Sequence, residues 1–141
     1  MSAGPYDVFL SYRRREPDKT WTIKTLLPRL EAAGLRVCID FRDFGLGAAL
    51  VKEMERAVLD SRYTVAVLSP AYLESGFTDL ENVMADHLAA ENKDIRLIVL
   101  MRGDAKASLR MRARLMLDMS DDSEFETNIV RLTEALAKSA P

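Results

Sequence analysis

Apolar residues follow two patterns along the chain, short continuous runs and longer stretches with helical spacing. The short runs predict five strands, at Tyr6–Ser11, Leu35–Ile39, Tyr63–Leu68, Ile95–Met101 and Leu115–Leu117. The stretches with helical spacing predict four helices, over 19–33, 48–60, Thr78–Glu91 and Ser123–Lys138. Pro28 lies inside the first of these helices, and we expect it to kink or divide that helix. The segment Asp40–Gly47 carries two glycines and predicts a loop.

Strands that alternate with helices at this spacing predict an α/β domain with a mostly parallel sheet. Five strands in 141 residues favour a flavodoxin-like, doubly wound five-stranded sheet of order 2-1-3-4-5, with helices on both faces. We expect one domain over residues 1–141. In this topology a crevice lies at the carboxyl ends of the strands, where strands 1 and 3 diverge. The segments that follow the first three strands are therefore the candidates for a functional site.

The composition excludes several kinds of chemistry. The apolar fraction of 48% is enough for a core, and the single cysteine, Cys38, excludes an internal disulfide framework and a cysteine metal cluster. The single histidine, His87, excludes a His-rich zinc site. We therefore expect no metal site and interpret both residues as structural, with Cys38 in the core of the second strand.

The charge is distributed in blocks. The formal net charge of −2 argues against a dedicated nucleic-acid binder. Residues 1–36 and 102–114 carry net charges of +3 and +4, whereas residues 74–94 and 118–134 carry −5 each. These blocks are either ordinary solvated faces or complementary faces for head-to-tail stacking into a ring or filament.

The chain shows no targeting segment and no apolar run near the roughly 18 residues that a membrane helix needs. Together with the lone cysteine, this predicts a cytoplasmic protein without membrane contact. The tail from Ala137 to Pro141 is similar to the start of a linker. It suggests that the domain is the N-terminal part of a longer protein, fused to a sensor domain.

The residues after the first three strands suit a nucleotide. Arg13, Arg14 and Arg15 offer cations for phosphate, and Phe44, Tyr72 and Phe77 offer rings that could stack on a base. A phospho-receiver domain is excluded because Ser11-Tyr12 and Ser69 occupy the places of its acidic residues. A phosphate-binding glycine loop of the P-loop or GxGxxG type is absent as well. We read Ser69 and Ser75 as helix caps or turn formers.

Three motifs resemble the TIR (Toll/interleukin-1 receptor) domain family, in the form found in bacterial defence proteins. Tyr6–Tyr12 is similar to the first box of the family, and Asp40–Gly47 is similar to its second box, the BB loop. Ser75–Glu81 is similar to the Ser-x-Trp-Cys-x-x-Glu motif of members that cleave NAD⁺, with Phe77 and Thr78 at the Trp and Cys positions. The third box, a Phe-Trp pair, has no clear counterpart at 114–119. The resemblance extends from Tyr6 to about Leu136.

The resemblance implies a set of site residues. Glu81 takes the catalytic position, and no cofactor is implied because NAD⁺ is the substrate. The implied substrate-binding residues are Tyr12, Arg13, Arg14, Asp43, Phe44, Gly45, Ser75 and Phe77. The implied assembly loop, through which TIR domains contact one another, contains Asp40, Arg42, Gly45, Leu46 and Gly47. A basic face for protein contacts is the alternative for Arg13 and Arg14.

Two roles are open for Glu81. In the first, its carboxylate stabilises the positive charge that grows on the ribose as neutral nicotinamide leaves, a step that needs no general acid. In the second, Thr78-x-x-Glu81 is a capping box that only begins a helix. The two functional classes that remain are a TIR NAD⁺ nucleosidase or cyclase, activated by self-assembly in bacterial immune signalling such as antiphage defence, and a non-catalytic adaptor that acts through TIR–TIR contacts.

Overall fold

One parallel sheet forms the centre of the fold. The computed structural model describes residues 5–75, 79–80, 82–83, 96–103 and 115–137. Its strands are β1 (Tyr6–Ser11), β2 (Val37–Ile39), β3 (Ser61–Leu68), β4 (Arg96–Met101) and β5 (Leu115–Asp118). They pair in the order β2-β1-β3-β4-β5, and every pair is parallel. The predicted flavodoxin-like topology is therefore confirmed.

Helical segments connect the strands and follow the last one. They are α1 (Asp18–Thr20), a π-helical stretch (Trp21–Leu26), α2 (Leu27–Ala32), α3 (Asp40–Asp43), α4 (Leu50–Leu59), α5 (Pro70–Ser75), a 3-10 turn (Asp122–Glu124) and α6 (Phe125–Ala137). Residues 79–80 and 82–83 are also helical. The rest of the predicted helix Thr78–Glu91, including His87, lies outside the described residues. Within the described parts of the chain, no helix is both long and apolar enough to cross a membrane.

The sheet is covered on both faces because successive strand residues point to opposite sides. On one face, Leu10, Val65 and Leu100 pack with α2 and α6 in one apolar cluster. On the other face, Phe9 and Leu68 pack with α4 and α5 in a second cluster. A strand that is covered on both faces needs apolar residues at every position. This is why continuous apolar runs in the sequence predicted the strands.

The first helical region changes its geometry beside Pro28, where we expected a kink or a division. The π-helical stretch ends at Leu26, and α2 begins at Leu27 with Pro28 as its second residue. Proline has no N–H, so the carbonyl of Lys24 has no α-helical donor at this position. The change from π to α geometry falls at this point.

Two short helices after strands were not predicted as such. The prediction that Asp40–Gly47 is entirely a loop is wrong for its first half, because Asp40–Asp43 forms the one-turn helix α3. Its backbone closes with the Phe44 N–H donating to the Asp40 carbonyl at 3.0 Å, and the Asp43 carboxylate accepts from the Ile39 N–H at 2.9 Å. Helix α5 begins after Ser69, whose Oγ accepts from the Tyr72 N–H at 3.1 Å. Ser69 is thus a helix cap, as predicted.

Candidate functional site

A cleft of about 400 Å³ lies at the carboxyl end of β1. Strands β1 and β3 are neighbours, and the chain leaves β1 towards α2 on one face of the sheet and β3 towards α5 on the other, so this is the switch point where the topology predicts a crevice. The volume falls in the usual range of small-ligand sites, about 300–1,000 Å³. The cleft is lined by Phe9, Leu10, Ser11, Tyr12, Arg13, Arg14, Arg15, Asp40, Phe44, Leu50, Met54, Tyr72 and Asp79.

One side of the cleft is apolar and aromatic. Phe9 is buried at the end of β1, and its ring lies 5.9 Å from that of Phe44, centroid to centroid, at a tilt of 33°. Leu50 and Met54 reach the cleft from α4. Phe44 is only half-buried, so part of its ring can meet a planar ligand group.

Tyr72 also lines the cleft. Its hydroxyl lies 2.5 Å from the Ser11 hydroxyl, and the side chain is 4% exposed. Burial raises the pKa of Tyr72 to about 12, so the phenol is neutral at physiological pH. Tyr72, one of the predicted stacking residues, is therefore a buried hydrogen-bonding partner of β1.

Asp40 connects two side chains that follow β1. Its Oδ1 accepts from the Tyr12 hydroxyl at 2.8 Å and from the Phe41 N–H at 2.7 Å. Its Oδ2 lies 3.0 Å from Arg14 Nε. Burial, followed by the hydrogen bond to Asp40, raises the pKa of Tyr12 well above its ordinary value. Asp40 therefore holds a neutral phenol and a cation at the mouth of the cleft.

The rest of the predicted assembly loop is attached at two points. Arg42 donates to the Val37 carbonyl at 2.7 Å and to Glu31 at 3.1 Å. Further along, the Gly45 N–H donates to Glu53 Oε1 at 2.7 Å. Gly47 has a φ of 77°, in the left-handed region that favours glycine. On the outer side of these two attachment points, Phe41 is 56% exposed and Leu46 is fully exposed.

The structure gathers some of the predicted substrate-binding residues. Tyr12, Arg13, Arg14 and Phe44 line the cleft, whereas Asp43 and Gly45 are not among its lining residues. Ser75 is the last residue of α5. Glu81 and Phe77 lie outside the described residues.

Several lining residues were not predicted. Asp79 lines the cleft two positions before Glu81 in the sequence, and its adjacency to the predicted motif was the available signal. Leu50 and Met54 carried no such signal, because their spacing is also that of ordinary core residues.

Asp18, which does not line the cleft, is another residue that the sequence analysis missed. It is 6% exposed and accepts a short hydrogen bond from the Ser69 hydroxyl. This buried contact fixes the start of α1 against the start of α5.

Two further findings concern the lone cysteine and groups of possible metal ligands. Cys38 is buried, as predicted, and burial raises the pKa of its thiol to about 12, so it carries no thiolate near neutral pH. Within the described ranges no group of three His, Cys, Asp or Glu side chains is placed to hold a metal ion.

Comparisons with known proteins identify relatives of the chain. A family model described as "TIR domain" matches residues 8–133. Toll-like receptor 6 of Bos taurus is 30% identical over 97 residues, which cover 68% of this chain and 12% of the receptor. The NAD(+) hydrolase TirS of Staphylococcus aureus is 36% identical over 76 residues, which cover 54% of this chain and 26% of TirS. The matched region is thus a small part of each of these longer proteins.

A solved structure supports the same fold. The TIR domain of the Toll-related receptor TRR-2 from Hydra magnipapillata superposes with a TM-score of 0.78 at 21% identity. The match covers 95% of this chain and 100% of the Hydra domain.

Proposed function

The chain belongs to the TIR domain family, and from this premise we propose that it cleaves the bond between nicotinamide and ribose in NAD⁺. The observation that carries the proposal is the cleft at the end of β1, which combines arginines, a half-buried phenylalanine ring and the carboxylate of Asp79. These are the groups that a dinucleotide needs for its phosphates, its bases and its ribose hydroxyls. The similarity to the hydrolase TirS supports the same choice.

The proposed chemistry requires little from the protein beyond one carboxylate. Nicotinamide leaves as a neutral molecule from a cationic ring, so the electrons of the breaking bond neutralise the leaving group. Positive charge then grows on the ribose, and a carboxylate nearby stabilises it. We assign this role to Glu81, and water or a group of the substrate itself then completes the reaction to ADP-ribose or a cyclic isomer.

Cleavage is tested with the wild-type chain, free and clustered on a multivalent support. We expect nicotinamide release from NAD⁺ that rises on clustering, measured by chromatography of the products. NADH is the matched control substrate, because its dihydronicotinamide ring carries no positive charge and would have to leave as an anion. Cleavage of both dinucleotides would indicate a contaminating pyrophosphatase. No nicotinamide release from NAD⁺, even by clustered protein, would contradict the proposal.

A second candidate function, a TIR adaptor without catalysis, is favoured by the exposed apolar residues of the assembly loop. Phe41 and Leu46 present apolar surface to solvent, each next to a residue whose hydrogen bonds attach the loop to the rest of the fold. An exposed apolar group on a fixed loop is suited to contact with a second TIR domain. We propose that self-association uses this loop, whether its outcome is catalysis or recruitment.

Leu46→Glu is expected to weaken self-association by about 10-fold, because a charge at the centre of a contact loses apolar burial and must be desolvated. Unfolding free energy should change by less than about 0.5 kcal/mol, since Leu46 is fully exposed. Sedimentation over a concentration series measures the effect. Leu59→Glu is the matched control, because Leu59 is also exposed, at 42%, but lies at the far end of α4. Equal self-association of both variants and the wild type would exclude the loop as the interface.

A further inference from the structure

The three consecutive arginines after β1 differ in their charge partners. Arg14 forms an ion pair with Asp40, whose carboxylate is 10% exposed. The same carboxylate also accepts from the Tyr12 hydroxyl at 2.8 Å. Asp40 is thus held by several donors, and its ion pair at 3.0 Å compensates the charge of Arg14.

Arg13 and Arg15 line the same cleft but form no ion pair with any acid in the described part of the chain. The acid next to Arg15 is occupied elsewhere, because Glu16 accepts from the Thr20 N–H at 2.9 Å and from the Thr20 hydroxyl at 2.7 Å. The backbone of Arg15 is itself held, since its carbonyl accepts from the Lys19 N–H at 2.9 Å. Among the described residues, Arg15 is therefore a cation without an acid partner, on a backbone that is held by a hydrogen bond.

The position of Arg15 defines the kind of ligand group it can meet. The cleft is also lined by the apolar residues Phe9, Phe44 and Leu50, so the arginines are the lining groups suited to an anionic ligand group. A guanidinium donates two parallel hydrogen bonds to the oxygens of a phosphate, which makes an unpaired arginine a good phosphate ligand.

We propose that Arg15, together with Arg13, binds the diphosphate bridge of a dinucleotide, and that Arg14 and Asp40 form a positioning pair that adds no net charge. The identity of the dinucleotide rests on the proposed function, whereas the binding of a diphosphate does not. The family resemblance implied Arg13 and Arg14, so the ion pair transfers the second phosphate contact from Arg14 to Arg15.

Binding of inorganic pyrophosphate, measured by calorimetry without divalent cations, tests the proposal. Arg15→Gln should weaken binding about 10-fold, and Arg15→Lys should recover part of the loss because it keeps the charge. The double variant Arg14→Gln/Asp40→Asn removes a cation and an anion together and should weaken pyrophosphate binding clearly less than Arg15→Gln does. Arg131→Gln on α6, an exposed arginine on a distant helix, is the charge-matched control. Circular dichroism checks that each variant is folded.

The same variants separate this proposal from the proposed function. If Arg15→Gln loses pyrophosphate binding and NAD⁺ is not cleaved by any variant, the phosphate site stands and the NAD⁺ assignment fails. If NAD⁺ is cleaved, Arg15→Gln should raise KM about 10-fold with kcat nearly unchanged; an unchanged KM would overturn the role of Arg15 and leave the cleavage intact. A double variant that weakens binding as much as Arg15→Gln would return the phosphate contact to Arg14. Absence of pyrophosphate binding to the wild type would overturn the site itself.

Discussion

Glu81→Gln is expected to lower the rate of NAD⁺ cleavage by about 100-fold or more. Glutamine keeps the size of the side chain and its hydrogen-bonding capacity but removes the negative charge. The charge is what stabilises the developing oxocarbenium ion, whereas a capping role would largely survive the change. The variant therefore distinguishes the two roles that the sequence leaves open for this residue.

The measurement is nicotinamide release by clustered protein, together with the unfolding free energy of each variant. Glu74→Gln is the matched control, because Glu74 is an exposed glutamate on helix α5, and it should retain the wild-type rate.

Asp79→Asn tests the carboxylate that lines the cleft two positions before Glu81 in the sequence. If Asp79→Asn abolished cleavage and Glu81→Gln did not, the catalytic role would belong to Asp79. A Glu81→Gln variant as active as wild type would end the assignment of Glu81.

Phe9→Ala is expected to lower the free energy of unfolding by about 3–5 kcal/mol. Phe9 is 2% exposed on β1 and packs in the apolar cluster between the sheet and α4. Its removal leaves a cavity that the paired strands β2 and β3 on either side cannot close by moving. Since domains of this kind are stable by only about 5–15 kcal/mol, this is a large fraction of the total.

Urea unfolding followed by circular dichroism measures this change as a shift of the midpoint with an unchanged slope. Phe41→Ala is the matched control, because the same ring is deleted at a position that is 56% exposed. The control should cost less than about 1 kcal/mol. Similar midpoints for the two variants would mean that the packing around Phe9 contributes little to stability.

The central strands could be predicted because they are buried on both faces. Strand β1 occupies the predicted residues, and β3 begins two residues before the predicted start. The short edge strand β2 covers only Val37–Ile39 of the predicted Leu35–Ile39. An apolar run indicates which residues are buried, not which residues pair with a neighbouring strand. Leu35 is buried but precedes β2, and the prediction therefore included it in the strand.

The short helices near the cleft were harder to predict because single polar contacts define them. Helix α3 forms where Asp43 accepts from the backbone at the end of β2, and glycines at positions 45 and 47 favoured a loop for the whole segment. Helix α5 starts at a Ser-Pro pair, a cap followed by proline at the first helical position, and this signal was available in the sequence.

By itself the sequence determined the α/β class, the strand order and the end of the sheet where the cleft lies, because burial and connectivity leave few topologies. Only the tertiary structure decided which charges are neutralised there. Leu10 of β1 is in register with Ile39 of β2, and this register brings Asp40 to Tyr12 and Arg14. Three adjacent arginines are equivalent in a sequence. Asp40, which lies 28 residues from Tyr12 in the chain, makes the arginines different because it forms an ion pair with Arg14. Charge pairing depends on distances of a few ångströms, and no local sequence pattern encodes them.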